Sequence, residues 1–151
     1  MKCNKTNCKH CHYANCNSFI KLKDKFFLPI LRFTTCRSTN LIYTLYCNCC
    51  FHYYIGQTKD FRKRFNKNKR NIRLHIQDGK TNTLVNRFNL PNHSLANLNF
   101  FIFKDKILEL NDRLNQELQL IYLFLKLEIP LLNEKISNIY IHKNHSILFD
   151  F

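Results

Sequence analysis

The sequence predicts an α+β fold, in which helices flank a small three-stranded antiparallel sheet and a cysteine-rich segment precedes the sheet. Apolar runs at 41–46, 51–56 and 97–106 have the length and residue types of strands. Amphipathic patterns of helical period follow the second and third runs, and most of the cysteines precede the first. We therefore divide the chain into a cysteine-rich lead-in (1–37), a sheet-and-helix domain (38–136) and a C-terminal tail of unassigned role (137–151).

The composition indicates a polyanionic partner. The chain has 24 Lys and Arg against 10 Asp and Glu, a formal net charge of +14, and its 14 Phe are enough for an apolar core. Such a charge favours nucleic acid, with a merely basic surface as the alternative. No apolar run has the length of a signal-peptide core or of a membrane span. We therefore expect nucleic acid as the partner, no membrane, and an intracellular protein that is nuclear in a eukaryote.

Two of the apolar runs predict an antiparallel hairpin, because only Cys47–Cys50 separates Leu41–Tyr46 from Phe51–Gly56. In that register Tyr43 lies directly opposite Tyr54, and the two phenols share one face of the sheet. A slip of one residue would place them on opposite faces.

A strongly basic helix follows this hairpin. Gly56 permits a sharp turn or a close approach of the backbone to a ligand, and Thr58 or Asp60 can cap the helix. Phe61 and Phe65 begin its apolar stripe, which continues to Ile72. Because cations crowd the rest of the helix, we expect DNA contacts at Gly56, Lys59, Arg62, Lys63, Lys67 and Arg70.

The remaining elements are a loop over 77–83, a short helical turn over 84–88, the third strand, and an amphipathic helix over 107–126. Glu117 lies on or beside the apolar stripe of that helix. A carboxylate on a core-facing side needs a cation or a metal ion, whereas a glutamate at the rim pairs with a surface lysine. The stripe predicted to be buried consists of Leu110, Leu114, Leu118, Ile121 and Leu125.

The cysteines predict metal ligands or free thiols rather than disulfides, since no export signal accompanies them. Cys8 and Cys11 are spaced so that both thiolates can reach one tetrahedral zinc ion. The other positions are open to Cys3, Cys16, Cys36, His10 and His12. Cys47 and Cys50 form a second pair of this kind, with Cys49 spare. Residues 17–40 are predicted as an extended connection, broken at Pro29, to the first strand.

These motifs resemble the GIY-YIG nuclease domain. Its two triplets correspond to Leu41-Ile42-Tyr43 and Tyr54-Ile55-Gly56, and its helix arginine corresponds to Arg64, eight residues after Gly56. The cysteine spacings are similar to those of the endonuclease domains of Penelope-like retroelements. The resemblance covers Cys3 to Asn133. The chain departs from the common pattern at Leu41, which replaces glycine, and at Asn68, which replaces histidine.

The resemblance implies a metal-dependent DNA endonuclease of mobile-element origin that hydrolyses phosphodiester bonds. It assigns Tyr43 as general base, Tyr54 as its partner near the nucleophile, and Arg64 as the phosphate clamp. It also assigns Glu117 as ligand to one catalytic Mg²⁺ or Mn²⁺, and Asn133 as a residue that holds the site together. Structural Zn²⁺ is then expected on Cys3, Cys8, Cys11 and Cys36. Cys47 and Cys50 are further candidate zinc ligands, and whether they join that ion, bind another or bind none is open.

A second function stays open, because asparagine cannot shuttle a proton. With Asn68 in place of histidine, the chain is alternatively a zinc-stabilised nucleic-acid-binding remnant of such a nuclease, with impaired catalysis. His75, two turns further along, can partly substitute for the missing histidine, while His52 and His93 are expected to be structural or solvent-facing. A third reading is an unrelated basic, cysteine-rich interaction module.

Overall fold

The structure, a computed structural model, describes residues 2–24, 26–30 and 33–134. The predicted tail at 137–151 lies outside the described residues. The α+β fold and its three-stranded antiparallel sheet are confirmed, and the described part of the chain contains three α-helices. In chain order the elements are β1 (Phe19–Lys23), β2 (Phe26–Pro29), β3 (Thr39–Cys47), β4 (Tyr53–Asp60), α1 (Phe61–Leu74), α2 (Asn82–Phe88), β5 (Leu98–Lys104) and α3 (Leu110–Lys126).

The central sheet has the strand order β4-β3-β5, with both pairs antiparallel. Tyr43 is paired with Gly56 rather than with Tyr54, so the predicted register is wrong by two residues. The reason is that β3 continues through Cys47 and the connecting turn is longer than predicted. A shift of two residues preserves the face on which a side chain lies. Tyr43 and Tyr54 are therefore diagonal neighbours, with ring centroids 6.4 Å apart.

Each face of the sheet carries its own core. On one face, Tyr43 and Leu45 of β3 pack with Phe61 and Phe65 of α1, with α2, and with the cysteine-rich segment. On the other face, apolar residues of β3 and β4 pack with α3 and with the β1–β2 hairpin. The sheet thus joins a basic helix on one side to a more apolar helix on the other.

The β1–β2 hairpin replaces the single extended connection that the sequence predicted over 17–40. Ile20 and Leu28 turn inward against the sheet core. Phe19 and Phe27 turn outward, where their rings meet edge to face at 5.3 Å. Pro29 stands at the end of this two-stranded sheet, a position that a residue without an N–H group can occupy.

The free edge of β4 is covered by the last described residues. The backbone of Leu132 donates to Tyr53 O at 2.6 Å. The side chain of Asn133 accepts from Ile55 N at 2.9 Å and donates to Ile55 O at 2.7 Å, as a neighbouring strand would. Asn133 thereby fixes the end of the domain to the strand that carries Tyr54.

Helix α1 has the predicted cap and core stripe. Asp60 accepts a hydrogen bond from Lys63 N at 3.0 Å, and Phe61, Phe65 and Ile72 are buried. The helix ends at Leu74, where His75 adopts a left-handed conformation with φ 54°.

The buried face of α3 differs from the predicted one. Leu110 and Leu114 are 51% and 38% exposed, whereas Arg113 and Phe124 are buried together with Leu120, Ile121 and Leu123. The prediction failed because leucines lie on several faces of this helix, and a buried arginine decides which face meets the sheet. No helix among the described residues combines the length and the apolar character needed to cross a membrane.

Candidate active site and metal clusters

The two signature tyrosines lie at the β3–β4 pair beneath α1. A Cβ atom at Gly56 would be 2.6 Å from both Cζ and Oη of Tyr43, which is closer than side chains tolerate. Only glycine fits opposite the Tyr43 ring, so Gly56 sets the position of this phenol. The sequence predicted that the hairpin stops at Gly56 with a turn or a close approach to a ligand. Instead β4 continues to Asp60, and the close neighbour of Gly56 is the Tyr43 side chain.

Helix α1 brings Arg64 to the tyrosines from above. The Arg64 guanidinium lowers the pKa of both Tyr43 and Tyr54, against the larger effect of burial, which raises both. Burial raises the pKa of Tyr54 to about 12, and that of Tyr43 well above its ordinary value. Both phenols are therefore protonated at neutral pH, and either one needs further positive charge to act as a base.

Helix α3 brings Glu117 to the same group from the edge of β4. Burial raises the pKa of Glu117 to about 7, while Arg64 and a hydrogen bond from the Gln57 backbone N–H oppose this rise. Glu117 also raises the pKa of both tyrosines. Arg64 is thus the shared electrostatic neighbour of Tyr43, Tyr54 and Glu117, which belong to three different elements.

A cleft of about 530 Å³ opens beside this group. Among the residues predicted to contact DNA, Lys59, Lys63 and Lys67 line it, and so does Arg64. Its lining residues include five cations and a single carboxylate, that of the helix cap: Gln57, Thr58, Lys59, Asp60, Lys63, Arg64, Lys67, Leu110 and Arg113. Such a cleft attracts an anion of extended shape.

Three of the residues predicted to contact DNA lie elsewhere, and one of them, Gly56, faces the Tyr43 ring from β4. Arg62 does not line the cleft, because its guanidinium Nη2 donates to Cys8 Sγ at 3.5 Å and lies 3.4 Å from His10 Nδ1. Arg70 is exposed on α1 outside the cleft lining.

Arg113 is a cleft residue that sequence reasoning missed. Its side chain is 1% exposed, and its guanidinium donates to Gln57 Oε1 at 3.1 Å and to Asn40 Oδ1 at 3.1 Å. It also donates to the backbone oxygens of Ile107 and Leu108 at 2.9 and 2.8 Å. The one available signal was its position four residues before Glu117, which places both side chains on the same helix face.

The first cysteine cluster consists of Cys3, Cys8, Cys11 and Cys36, whose Sγ atoms all lie within 4.8 Å of one another. The Cys11 backbone N–H lowers the pKa of Cys8 to about 5, with a further contribution from that of His10. A thiolate is the form that binds metal. These four residues can hold a metal ion such as zinc, and they are the set that the resemblance implied. Cys16 is exposed and lies outside the cluster.

The second cluster consists of Cys47, Cys49, Cys50 and His93, again with ligand atoms within 4.8 Å of one another. It adds Cys49 and His93 to the predicted pair. His93 Nδ1 lies 3.0 Å from Pro91 O, and Nε2 is buried without a hydrogen-bond partner in the described part of the chain. A hydrogen bond on one ring nitrogen that leaves the other free is typical of a metal-binding histidine. The hairpin cysteines therefore form a separate group that can hold its own metal ion.

Comparison with known proteins finds no matching family model, no matching curated protein and no matching solved structure.

Proposed function

We propose that this chain is a metal-dependent DNA endonuclease of the GIY-YIG type, of mobile-element origin. The observation that carries the proposal is the position of Arg64. It stands in the wall of a basic cleft and is the shared electrostatic neighbour of two buried tyrosines and a half-buried carboxylate. Arg64 suits a phosphate, the tyrosines suit an activated water, and the carboxylate suits a divalent cation.

The substrate in this proposal is a DNA strand lying in the cleft. Lys59, Lys63 and Lys67 supply positive charge along it, and Arg64 offers forked donors that match a phosphate group. Asp60 is the one lining residue with a negative charge, and its carboxylate already accepts a hydrogen bond as the cap of α1.

Tyr43 receives the proton of the attacking water, and Tyr54 borders the nucleophile. Arg64 neutralises charge that develops on the phosphoryl oxygens. Glu117 fits as ligand for one Mg²⁺ or Mn²⁺, because a single carboxylate together with phosphate oxygens is a common setting for magnesium. The bound cation supplies charge stabilisation and a more acidic water. Asn133 holds the strand that carries Tyr54, and Gly56 of that strand leaves space for the Tyr43 ring.

Zinc is the ion that we propose for both cysteine clusters. Four sulfur or nitrogen ligands within reach of one centre suit tetrahedral Zn²⁺. The lead-in is too short to bury a core unaided, so its cluster stabilises the segment that packs on α1. The second cluster ties the β3–β4 turn to the segment before β5.

A DNA-binding remnant without turnover is the second candidate. Asn68 occupies the position where the family often has a histidine, and both phenols are protonated at neutral pH. In this case the cleft binds DNA and the tyrosines only pack against α1.

Incubation of zinc-loaded protein with supercoiled plasmid and Mg²⁺ or Mn²⁺ separates the two candidates. We expect nicked or linear product that chelation prevents. Arg64→Ala should lower the rate by roughly 10²–10³-fold, the usual effect of losing one charge-stabilising donor. Arg73→Ala is the matched control, because it removes the same side chain from an exposed position in the last turn of α1. Tight DNA binding without any product would favour the remnant instead.

A further inference from the structure

Two buried polar atoms, the hydroxyl oxygen of the proposed base and an amide nitrogen of α1, lack hydrogen bonds. Within the described part of the chain, neither Tyr43 Oη nor Asn68 Nδ2 has a partner. Tyr43 is 0% exposed and Asn68 is 1% exposed. Burial raises the pKa of Tyr43, and the side-chain amide of Asn68 is near enough to lower it. A buried donor without a partner is costly and rarely retained without a role.

Both side chains are held in position by the elements that carry them. The Tyr43 ring packs on the backbone of Gly56, in the space that a side chain there would fill, since a Cβ would lie 2.6 Å from Cζ and Oη. Asn68 lies one helical turn after Arg64, so the same face of α1 presents a guanidinium and an amide to the tyrosine.

We propose that Asn68 is a positioning residue for Tyr43: once the phenol has lost its proton, the unpaired side-chain amide of Asn68 donates to the phenolate oxygen and favours this anion, which accepts the proton of the attacking water. The inference rests on the proposed function, in which Tyr43 is the base. It assigns a role to the residue that stands where a histidine is common. An amide can donate to the anion but cannot carry the proton away.

The charges around Tyr43 come from three elements. Arg64 on α1 favours the phenolate, while Tyr54 on β4 and Glu117 on α3 oppose it. Asn68 adds a neutral hydrogen-bond donor, which stabilises the phenolate without adding charge.

The Tyr43 phenolate takes one proton from water as the water oxygen bonds to phosphorus and the bond from phosphorus to O3′ breaks. O3′ then takes a proton from solvent, and Tyr43 returns its proton to solvent.

Asn68→Leu removes the donor and keeps the number and branching of the side-chain heavy atoms. Because Nδ2 has no partner, we expect thermal stability to be unchanged or higher. The cleavage kcat should fall by about tenfold, which corresponds to a rise of about one unit in the pKa of Tyr43, with KM unchanged. Asn71→Leu is the matched control. It removes a second buried asparagine of α1 whose amide donates to Asp78 at 3.3 Å, so it should lower stability and keep kcat.

A ring-fluorinated tyrosine at position 43 gives a readout that does not need turnover. Titration followed by ¹⁹F NMR should show a higher phenol pKa in Asn68→Leu than in the protein with Asn68. In cleavage assays the more acidic fluorinated phenol should restore part of the rate lost in Asn68→Leu, and the pH–rate profile of that variant should lie at higher pH. A side chain that only fills space would produce neither effect.

The outcomes separate this inference from the proposed function. An unchanged ¹⁹F titration in Asn68→Leu overturns the role of Asn68, whether or not the protein cleaves DNA. Loss of cleavage in Tyr43→Phe and Arg64→Ala, but full cleavage in Asn68→Leu, also overturns it and leaves the nuclease proposal intact. A protein that does not cleave, but shows the expected NMR difference, retains the Asn68–Tyr43 contact and loses the nuclease proposal.

Discussion

Helix α1 carries cations on two faces that meet different parts of the molecule. Lys63, Arg64 and Lys67 face the cleft. Arg62 and Lys69 face the cysteine-rich lead-in. Lys63 and Arg64 are open to a ligand, whereas Lys67 pairs with Asp78 at 3.6 Å while its side chain stays 57% exposed. Arg62 and Lys69 are occupied by contacts with the lead-in.

The contacts on the lead-in side are specific. Arg62 Nη2 donates to Cys8 Sγ at 3.5 Å, and His10 Nε2 lies 2.9 Å from Asn66 Oδ1. Lys69 Nζ lies 5.1 Å from the centroid of the Tyr13 ring, within the range of a cation–π contact. The difference between the faces teaches that charge along a helix does not by itself define a DNA surface. A cation serves DNA only where the rest of the fold leaves it free.

The largest expected contrast concerns the tyrosines on the two sides of α1. Tyr43→Phe removes the proposed base and should lower cleavage by about 10²–10⁴-fold. Thermal stability should hold, because the hydroxyl has no hydrogen-bond partner among the described residues. Tyr13→Phe makes the same change on the lead-in side and should leave the rate unchanged. Equal rates for the two variants in a plasmid assay would remove Tyr43 from the mechanism.

The zinc content of the protein tests the two cysteine clusters. Elemental analysis should find two zinc ions per chain, one for each cluster. Cys8→Ser should leave one zinc ion and lower thermal stability, since a structural zinc site contributes directly to folding. His93→Ala should likewise leave one. Cys16→Ser should retain both ions, because that thiol is exposed and outside both clusters. A stable protein with no zinc would contradict this part of the account.

The salt dependence of DNA binding compares the two faces directly. Lys63→Gln with Lys67→Gln should reduce the slope of log K against log [salt] by about 1.8, or about 0.9 for each phosphate contact. Arg62→Gln with Lys69→Gln removes the same charge from the lead-in face and should reduce the slope by less than half as much. Equal reductions would mean that the two faces do not differ as DNA contacts.

A smaller effect concerns the pH dependence of stability. Burial raises the pKa of Glu117 from an ordinary value of 4.5 to about 7, so the folded state holds this proton more tightly than the unfolded state. The contribution to stability is full below pH 4.5 and is lost as pH rises through 7.

Thermal melts of Glu117→Gln should therefore lack this part of the pH dependence. The difference from the unchanged protein should be on the order of a few degrees, since 1 kcal/mol corresponds to about 2–4 °C in Tm at this chain length. Mg²⁺ should reduce the loss near pH 7. Superimposable pH profiles for the two proteins would show that the carboxylate is not held in a buried position.

Local patterns predicted much of the fold. Alternating apolar runs located β3, β4 and β5, and Asp60 marked the start of α1. The register was wrong by two residues because Cys47–Cys50 was predicted to form the whole turn. In the structure Cys47 belongs to β3, and the turn extends from there to Tyr53. The face shared by Tyr43 and Tyr54 survived, since only an odd shift reverses it.

The parts that depend on packing were not predictable. Arg113 is buried among hydrogen-bond acceptors that include Gln57 and Asn40, and only the tertiary structure brings these two residues to it. Its position four residues before Glu117 was the one local signal. His93 reaches the hairpin cysteines through the fold, more than 40 residues away in sequence. Arg62 and Lys63 are adjacent cations, yet only the tertiary structure assigns one to a thiolate and the other to the cleft.

Cleavage by Glu117→Gln tests the central claim most directly. The substitution keeps the shape of the side chain and removes the charge that a divalent cation requires. The account predicts that Mg²⁺- or Mn²⁺-dependent cleavage of supercoiled plasmid falls by at least about 10²-fold, while the protein stays folded and binds DNA as before or slightly tighter. A folded Glu117→Gln protein that still cleaves at the original rate with Mg²⁺ would contradict the account.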